Sequence, residues 1–195
     1  MEILKAEFVK GVIGGDYNIG DNLPHVAFFG RSNAGKSSVI NSLAKRKKLV
    51  RVSKNPGETK EANFYKINDA FYLVDFPGYG YSKHSIKMRN RMTKRIFWYV
   101  ESSNVKPKVV FLIIDIKVGL TNLDREMIKK LKENNHHINI VGNKIDKLGK
   151  VAREERVLKI KEEEPKIQVL LYSAKTKEGR EELVETILKL TDCRV

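Results

Sequence analysis

Gly30-Arg31-Ser32-Asn33-Ala34-Gly35-Lys36-Ser37 fits G-x-x-x-x-G-K-[ST] at every fixed position. The apolar run His25 to Phe29 leads into it, and Ser37 to Lys45 continues as a helix, so the octet spans a strand-to-helix turn. Its glycines let the loop curl until successive backbone N–H groups face one anion, with a helix N-terminus behind them. Lys36 is expected at the β- and γ-phosphates of a nucleotide and the Ser37 hydroxyl on Mg²⁺. Gly30, Arg31, Ser32, Asn33, Ala34, Gly35 and Ser38 complete the expected cradle.

Outward from this loop, apolar runs alternate with amphipathic stretches. Ala62 to Ile67 and Ala70 to Asp75 read as two strands joined at the turn pair Asn68-Asp69. Val109 to Asp115, Ile138 to Gly142 and Ile167 to Tyr172 read as further strands, which with His25 to Phe29 makes six. Ser85 to Ser102, Asn122 to Glu133, Val151 to Glu164 and Glu178 to Leu190 read as helices. Buried strands alternating with helices predict an α/β fold, a largely parallel sheet with helices on both faces. No repeat, low-complexity tract or Pro/Ser-rich linker divides residues 1–195, so one domain is expected. In such folds ligands bind at the carboxyl ends of the strands, where the remaining motifs fall.

Asp75-Phe76-Pro77-Gly78 closes a strand and fits D-x-x-G. Asp75 is expected to hold Mg²⁺ through water and the Gly78 amide to sense a γ-phosphate. Asn143-Lys144-Ile145-Asp146 also follows a buried strand. The Asp146 carboxylate suits the guanine ring N–H and exocyclic amine, a donor pair that adenine lacks. Asn143 is expected to donate toward N7 and O6, and the Lys144 stem to lie over the ring. Ser173-Ala174-Lys175 ends the last strand after Tyr172, and backbone N–H groups of this stretch are expected to meet the guanine oxygen. Together these motifs predict GTP and GDP as ligands. Between the first two motifs lies a polar loop, Val52 to Lys60, with Gly57, Glu58 and Thr59 in it. Thr59 is the candidate for a mobile Mg²⁺ ligand that orders with the γ-phosphate, with Ser53 or a residue beyond Lys60 as alternatives.

The longest nearly apolar run, Val109 to Ile114, is far below the ~20 residues that cross a bilayer. The acidic, alternating N-terminal residues do not read as a leader, and the single cysteine, Cys193, cannot form an internal disulfide. A cytoplasmic protein that does not engage membranes is expected. The net charge of +14 exceeds what a nucleotide alone needs and points to a polyanionic partner.

In this order, and over nearly the whole chain, these elements resemble the translation-factor-related small GTPases, and more closely the EngB-type GTPases. The stretches that carry the resemblance are 30–38, Pro56-Gly-Glu-Thr59, Asp75-Phe-Pro-Gly-Tyr-Gly-Tyr81, and Asp115 to Thr121 followed by Asp124. Asn143 stands where that family more often has threonine, and Ala34 where valine is usual. The resemblance implies a three-layer domain with a mostly parallel six-stranded sheet and one antiparallel strand. It also implies GTP hydrolysis, Mg²⁺ at Ser37, Thr59 and Asp75, and a monomer that binds rRNA and the large ribosomal subunit precursor. A place in ribosome biogenesis and cell division comes with it.

Signalling GTPases orient the attacking water with a glutamine just after D-x-x-G. Here that position is Tyr79, so slow intrinsic turnover is expected, with Lys36, Asn33, Thr59 and Gly78 as the catalytic candidates. In related GTPases an asparagine at the Asn33 position accompanies a bound K⁺. The alternative is that Asn33 only tolerates the loop's backbone geometry. Basic residues crowd Lys45 to Lys48, Arg51 and Lys54, and again Lys83, Lys87, Arg89, Arg91, Lys94 and Arg95. Placed beside loops that respond to the γ-phosphate, they would couple nucleotide state to RNA affinity. Phe97 is expected in the core, and Trp98 either in the core or on a partner surface. His84, His136 and His137 lack companions at metal-ligand spacing.

Overall fold

The computed structural model describes residues 3–13, 19–45, 49–50, 61–80, 94, 96–101, 107 and 109–192. Seven strands form one sheet in the order β1-β3-β4-β2-β5-β6-β7. They are β1 (Ala6–Val12), β2 (His25–Gly30), β3 (Ala62–Ile67), β4 (Phe71–Asp75), β5 (Val109–Asp115), β6 (Ile138–Asn143) and β7 (Gln168–Tyr172). Strand β3 pairs antiparallel with both β1 and β4, and the other neighbours are parallel, so β3 alone runs against the rest. The reversal is a tight turn in which Asn68 and Asp69 take φ of 48° and 54°, the left-handed geometry that two-residue hairpins need.

Six of these strands follow from the sequence pattern; β1 corrects the count to seven. It adds to the β3 edge with a bulge between Phe8 and Lys10, and Phe8 and Val9 stay exposed. An edge strand with one partner buries little, and the bulge breaks the two-residue alternation by which strands are recognised.

The helices are α1 (Lys36–Leu43), α2 (residues 96–101), α3 (Asn122–Glu133), α4 (Lys150–Glu163) and α5 (Arg180–Leu190), with a short 3-10 turn at Ile145–Lys147. Successive residues of a strand face opposite sides, and the sheet accordingly carries two cores. Val26, Phe28, Phe111, Ile113 and Val141 pack with Val39, Ile40 and Leu43 of α1 and with Leu183, Val184 and Ile187 of α5. Ala27, Phe29, Leu112, Ile114 and Ile140 face the other way. They meet Ile96, Tyr99 and Val100 of α2, Met127, Ile128 and Leu131 of α3, and Ile160 of α4. The result is the expected three layers. Phe97 is partly buried against the second core, and Trp98 is 47% exposed, which places it on the surface.

Strand β2 lies between β4 and β5, so the chain leaves β2 toward one side of the sheet and returns on the other. That is the switch point at which α/β sheets open a crevice. Register brings the rest of the site level with it: Asp115 pairs with Asn143, and Asn143 with Tyr172.

Candidate nucleotide site

The 30–37 loop joins β2 to α1 with Asn33 at φ 67° and Gly35 at φ 93°. Gly35 takes a conformation that side chains resist, and a Cβ there would run into the Asn143 side-chain amide. Asn33 is exposed, and its left-handed backbone is one that asparagine accepts. Its carbonyl receives a hydrogen bond from Lys144 Nζ at 2.6 Å.

Lys36 and Asp75 meet beneath this loop. The Lys36 Nζ donates to Asp75 Oδ1 at 2.5 Å, and the Ser37 hydroxyl donates to Asp75 Oδ2 at 3.3 Å. Asp75 has no exposed surface and Lys36 almost none, so each charge is balanced mainly by the other. The two oxygen donors, Ser37 hydroxyl and Asp75 carboxylate, are hard ligands of the kind Mg²⁺ selects. Among the described residues no group of three or more His, Cys, Asp or Glu side chains could hold a metal by itself. A Mg²⁺ held by Ser37 and Asp75 would take its remaining oxygens from other kinds of donor, phosphate and water among them. Mg²⁺ characteristically binds in this way.

Beyond Asp75 the chain turns along the phosphate loop. The Ser32 amide donates to the Tyr79 carbonyl at 3.0 Å and the Tyr79 amide to the Gly30 carbonyl at 3.3 Å. Ser32 Oγ donates to the Gly78 carbonyl at 3.2 Å, and a Cβ on Gly78 would stand 2.8 Å from the Ser32 nitrogen. Only glycine permits this approach. Phe76 is a core residue, its ring 4.7 Å from Phe29 and 4.6 Å from Tyr99, so the Phe76-Pro77 pair offers the site its backbone. Tyr79 is buried as well. Its hydroxyl donates to Asp124 Oδ1 at 2.8 Å, pointing into the protein.

Three loops close the far end. The Asn143 side chain is buried; its Nδ2 donates to the Ala34 carbonyl at 3.0 Å, and its Oδ1 accepts from the Ala174 amide at 3.3 Å. The amide expected to reach toward a base also braces the phosphate loop against the last strand's loop, which takes one of its two N–H groups. Lys144 Nζ bridges Asn33 O and Asp115 Oδ2, the latter at 2.8 Å. The Ser173 hydroxyl donates to Asp146 Oδ1 at 2.6 Å, and this bond leads in holding the Asp146 carboxyl below the usual carboxylate range. Asp146 is therefore ionised and fixed in place, which suits the ring N–H and exocyclic amine expected to meet it. Tyr172 turns away: its hydroxyl donates to Ser42 Oγ at 2.8 Å within the core, so its part in the site is to place Ser173.

The sequence motifs missed two residues of this region. Asp124 was legible only as part of a family-like segment, although its Thr121-x-x-Asp124 spacing is a helix-capping pattern, and the structure shows that capping box. Asp115, which opens the same family-like segment, holds Lys144 from a strand end, a contact that its local sequence does not announce. Gly57, Glu58 and Thr59, with Ser53, lie outside the described residues, as do the basic residues 46–48, 51, 54, 83, 87, 89, 91 and 95.

Residues 25–144 match the family described as the 50S ribosome-binding GTPase. A probable GTP-binding protein EngB from Clostridium kluyveri is 38% identical over 195 residues, covering 98% of each chain. Among solved structures, a probable GTP-binding protein EngB superposes with a TM-score of 0.72 at 25% identity, covering 87% of this chain and all of that one. Era in complex with MgGDPNP and nucleotides 1506–1542 of 16S ribosomal RNA superposes with a TM-score of 0.71 at 26% identity, over 86% of this chain and 56% of Era.

Proposed function

The chain belongs to the 50S ribosome-binding GTPase family, among the EngB-type GTP-binding proteins, and on that premise we propose that it is a slow GTP-driven switch in large-ribosomal-subunit assembly. It binds GTP and GDP and hydrolyses GTP. In this reading Lys36 and the amides of the 30–37 loop hold the phosphates, the Gly78 amide senses the γ-phosphate, and Asp146 with the Ser173-Ala174 loop selects guanine. Ser37 and Asp75 would hold Mg²⁺, with Thr59 joining when the γ-phosphate is present. The ion's contribution is to neutralise charge on the β- and γ-oxygens.

Slow turnover is supported by Tyr79. The residue in the water-orienting position is buried with its hydroxyl committed to Asp124. Asn33 is proposed to help hold a monovalent cation that supplies the missing charge. Equal turnover in K⁺ and Na⁺ buffers would refute that part.

One observation carries the ribosomal reading. Residues 45–60 and 81–95 hold thirteen Lys and Arg against one acidic residue, out of 38 and 24 in the whole chain. The remaining chain is nearly balanced, so the positive field belongs to the two stretches that border the phosphate site in sequence. A basic surface coupled to the γ-phosphate gives RNA affinity that depends on nucleotide state. Era, a structural relative, was solved with both a GTP analogue and ribosomal RNA. No described helix is long and apolar enough to cross a membrane, and the protein is proposed to act in the cytoplasm as a monomer. Co-sedimentation with large-subunit precursors in GDP and in a non-hydrolysable GTP analogue tests the proposal. Binding should favour one nucleotide and fall steeply with salt; equal, salt-insensitive binding would refute it.

A further inference from the structure

Asp124 is fully buried in the first turn of α3, yet its carboxylate gathers three separate parts of the chain. Oδ2 accepts from Thr121 N at 2.9 Å, Thr121 Oγ1 at 2.7 Å and Arg31 Nε at 3.1 Å. Oδ1 accepts from the Tyr79 hydroxyl at 2.8 Å. Capping α3 needs only the Thr121 contacts. The other two go to the phosphate loop and to the residue after Gly78, which already touch through their backbones on either side of Arg31. Arg31 supplies the countercharge that a buried carboxylate requires. Burial and the Asp124 charge push the Tyr79 phenol well above its ordinary range, which keeps it a donor.

We propose that Asp124 is a positioning residue for GTP hydrolysis: through Tyr79 and Arg31 it clamps the Gly78 segment against the phosphate loop without itself touching nucleotide. The clamp fixes how far the Gly78 amide stands from the loop that holds the phosphates. It rests on the reading of Gly78 as the γ-phosphate sensor. GDP, which has no γ-phosphate, meets the clamp only through the phosphate loop, whereas a GTP analogue meets it at Gly78 as well.

The test uses the full chain with Tyr79→Phe and Asp124→Asn. Affinities for GDP and for the non-hydrolysable analogue GMPPNP are measured with Mg²⁺ present, alongside single-turnover GTP hydrolysis and the melting temperature. Tyr79→Phe removes one oxygen from a buried ring that keeps its packing, so it serves even if Asp124→Asn fails to fold. Losing a hydrogen bond to a charged group should weaken GMPPNP about tenfold relative to GDP and slow hydrolysis by a similar factor. A lower melting temperature with an unchanged GMPPNP-to-GDP ratio would overturn the proposal and leave Asp124 a structural cap. Gly78→Ala separates the two layers. If it leaves the ratio unchanged, the γ-phosphate reading of Gly78 fails and the clamp with it. If it alone shifts the ratio, the clamp is refuted.

Discussion

His25, at the start of β2, offers a measurable acid sensitivity. It is 6% exposed and ringed by Phe64, Tyr72 and Tyr99, with its Nδ1 3.1 Å from the Tyr99 hydroxyl. Burial lowers its pKa from 6.5 to about 4, against a smaller raising effect of Asp21. The folded protein therefore keeps the imidazole neutral, while the unfolded chain protonates it below pH 6.5. Stability from this group is complete above the unfolded pKa, declines as pH falls from 6.5 toward 4, and levels off below. Two and a half pKa units correspond to roughly 3 kcal/mol in full, of which about 2 kcal/mol develops between pH 7 and pH 5. His25→Asn retains a polar atom near Nδ1 but does not titrate. Urea unfolding of both proteins at pH 7 and pH 5 gives four free energies, and their double difference cancels every other titrating group. The wild type should lose about 2 kcal/mol more than the variant over this interval. Equal losses would show that His25 is hydrated or protonated in the folded state.

Three further substitutions address the site. Ser173→Ala frees Asp146 from the bond that aims it, and calorimetric titration should show GDP binding about tenfold weaker; affinity within twofold of wild type would mean that Asp146 needs no such anchor. Gly35→Ala combines a left-handed backbone with a collision at Asn143, and GDP affinity should fall by about a hundredfold or more. A functional Gly35→Ala protein would contradict the packing of these two loops. Asp146→Asn should exchange guanine for xanthine preference in competition binding, because the replaced oxygen becomes a donor; unchanged preference for GTP would remove Asp146 from the base site.

What the sequence revealed about this site followed from contiguity. The phosphate loop, D-x-x-G and N-K-x-D motifs each act through a few adjacent residues, so spacing alone exposes them. Strand β1 was hidden because its bulge and exposed Phe8 and Val9 remove the alternation that marks half-buried strands. The Asp124 cluster was hidden for another reason: Arg31 and Asp124 are 93 residues apart, and nothing in either segment announces the other. Asn143 shows what a motif leaves out: besides the base edge its amide suits, it braces Ala34 and Ala174, contacts that no spacing announces.

The same braces govern when the site comes into being. Asn143 reaches the phosphate loop across 109 residues and Ala174 across 31; Lys144 reaches Asn33 across 111. Closing such wide loops costs chain entropy that only a formed sheet repays, so these contacts come late in folding. A ribosome-bound chain grown only to Asp146 would already contain the phosphate motifs, yet would lack the Ser173 hydroxyl and Ala174 amide that hold Asp146 and Asn143. The anchoring of Asp146 and Asn143 thus arrives with β7, after every other described strand has been synthesised, and reports that the sheet has closed.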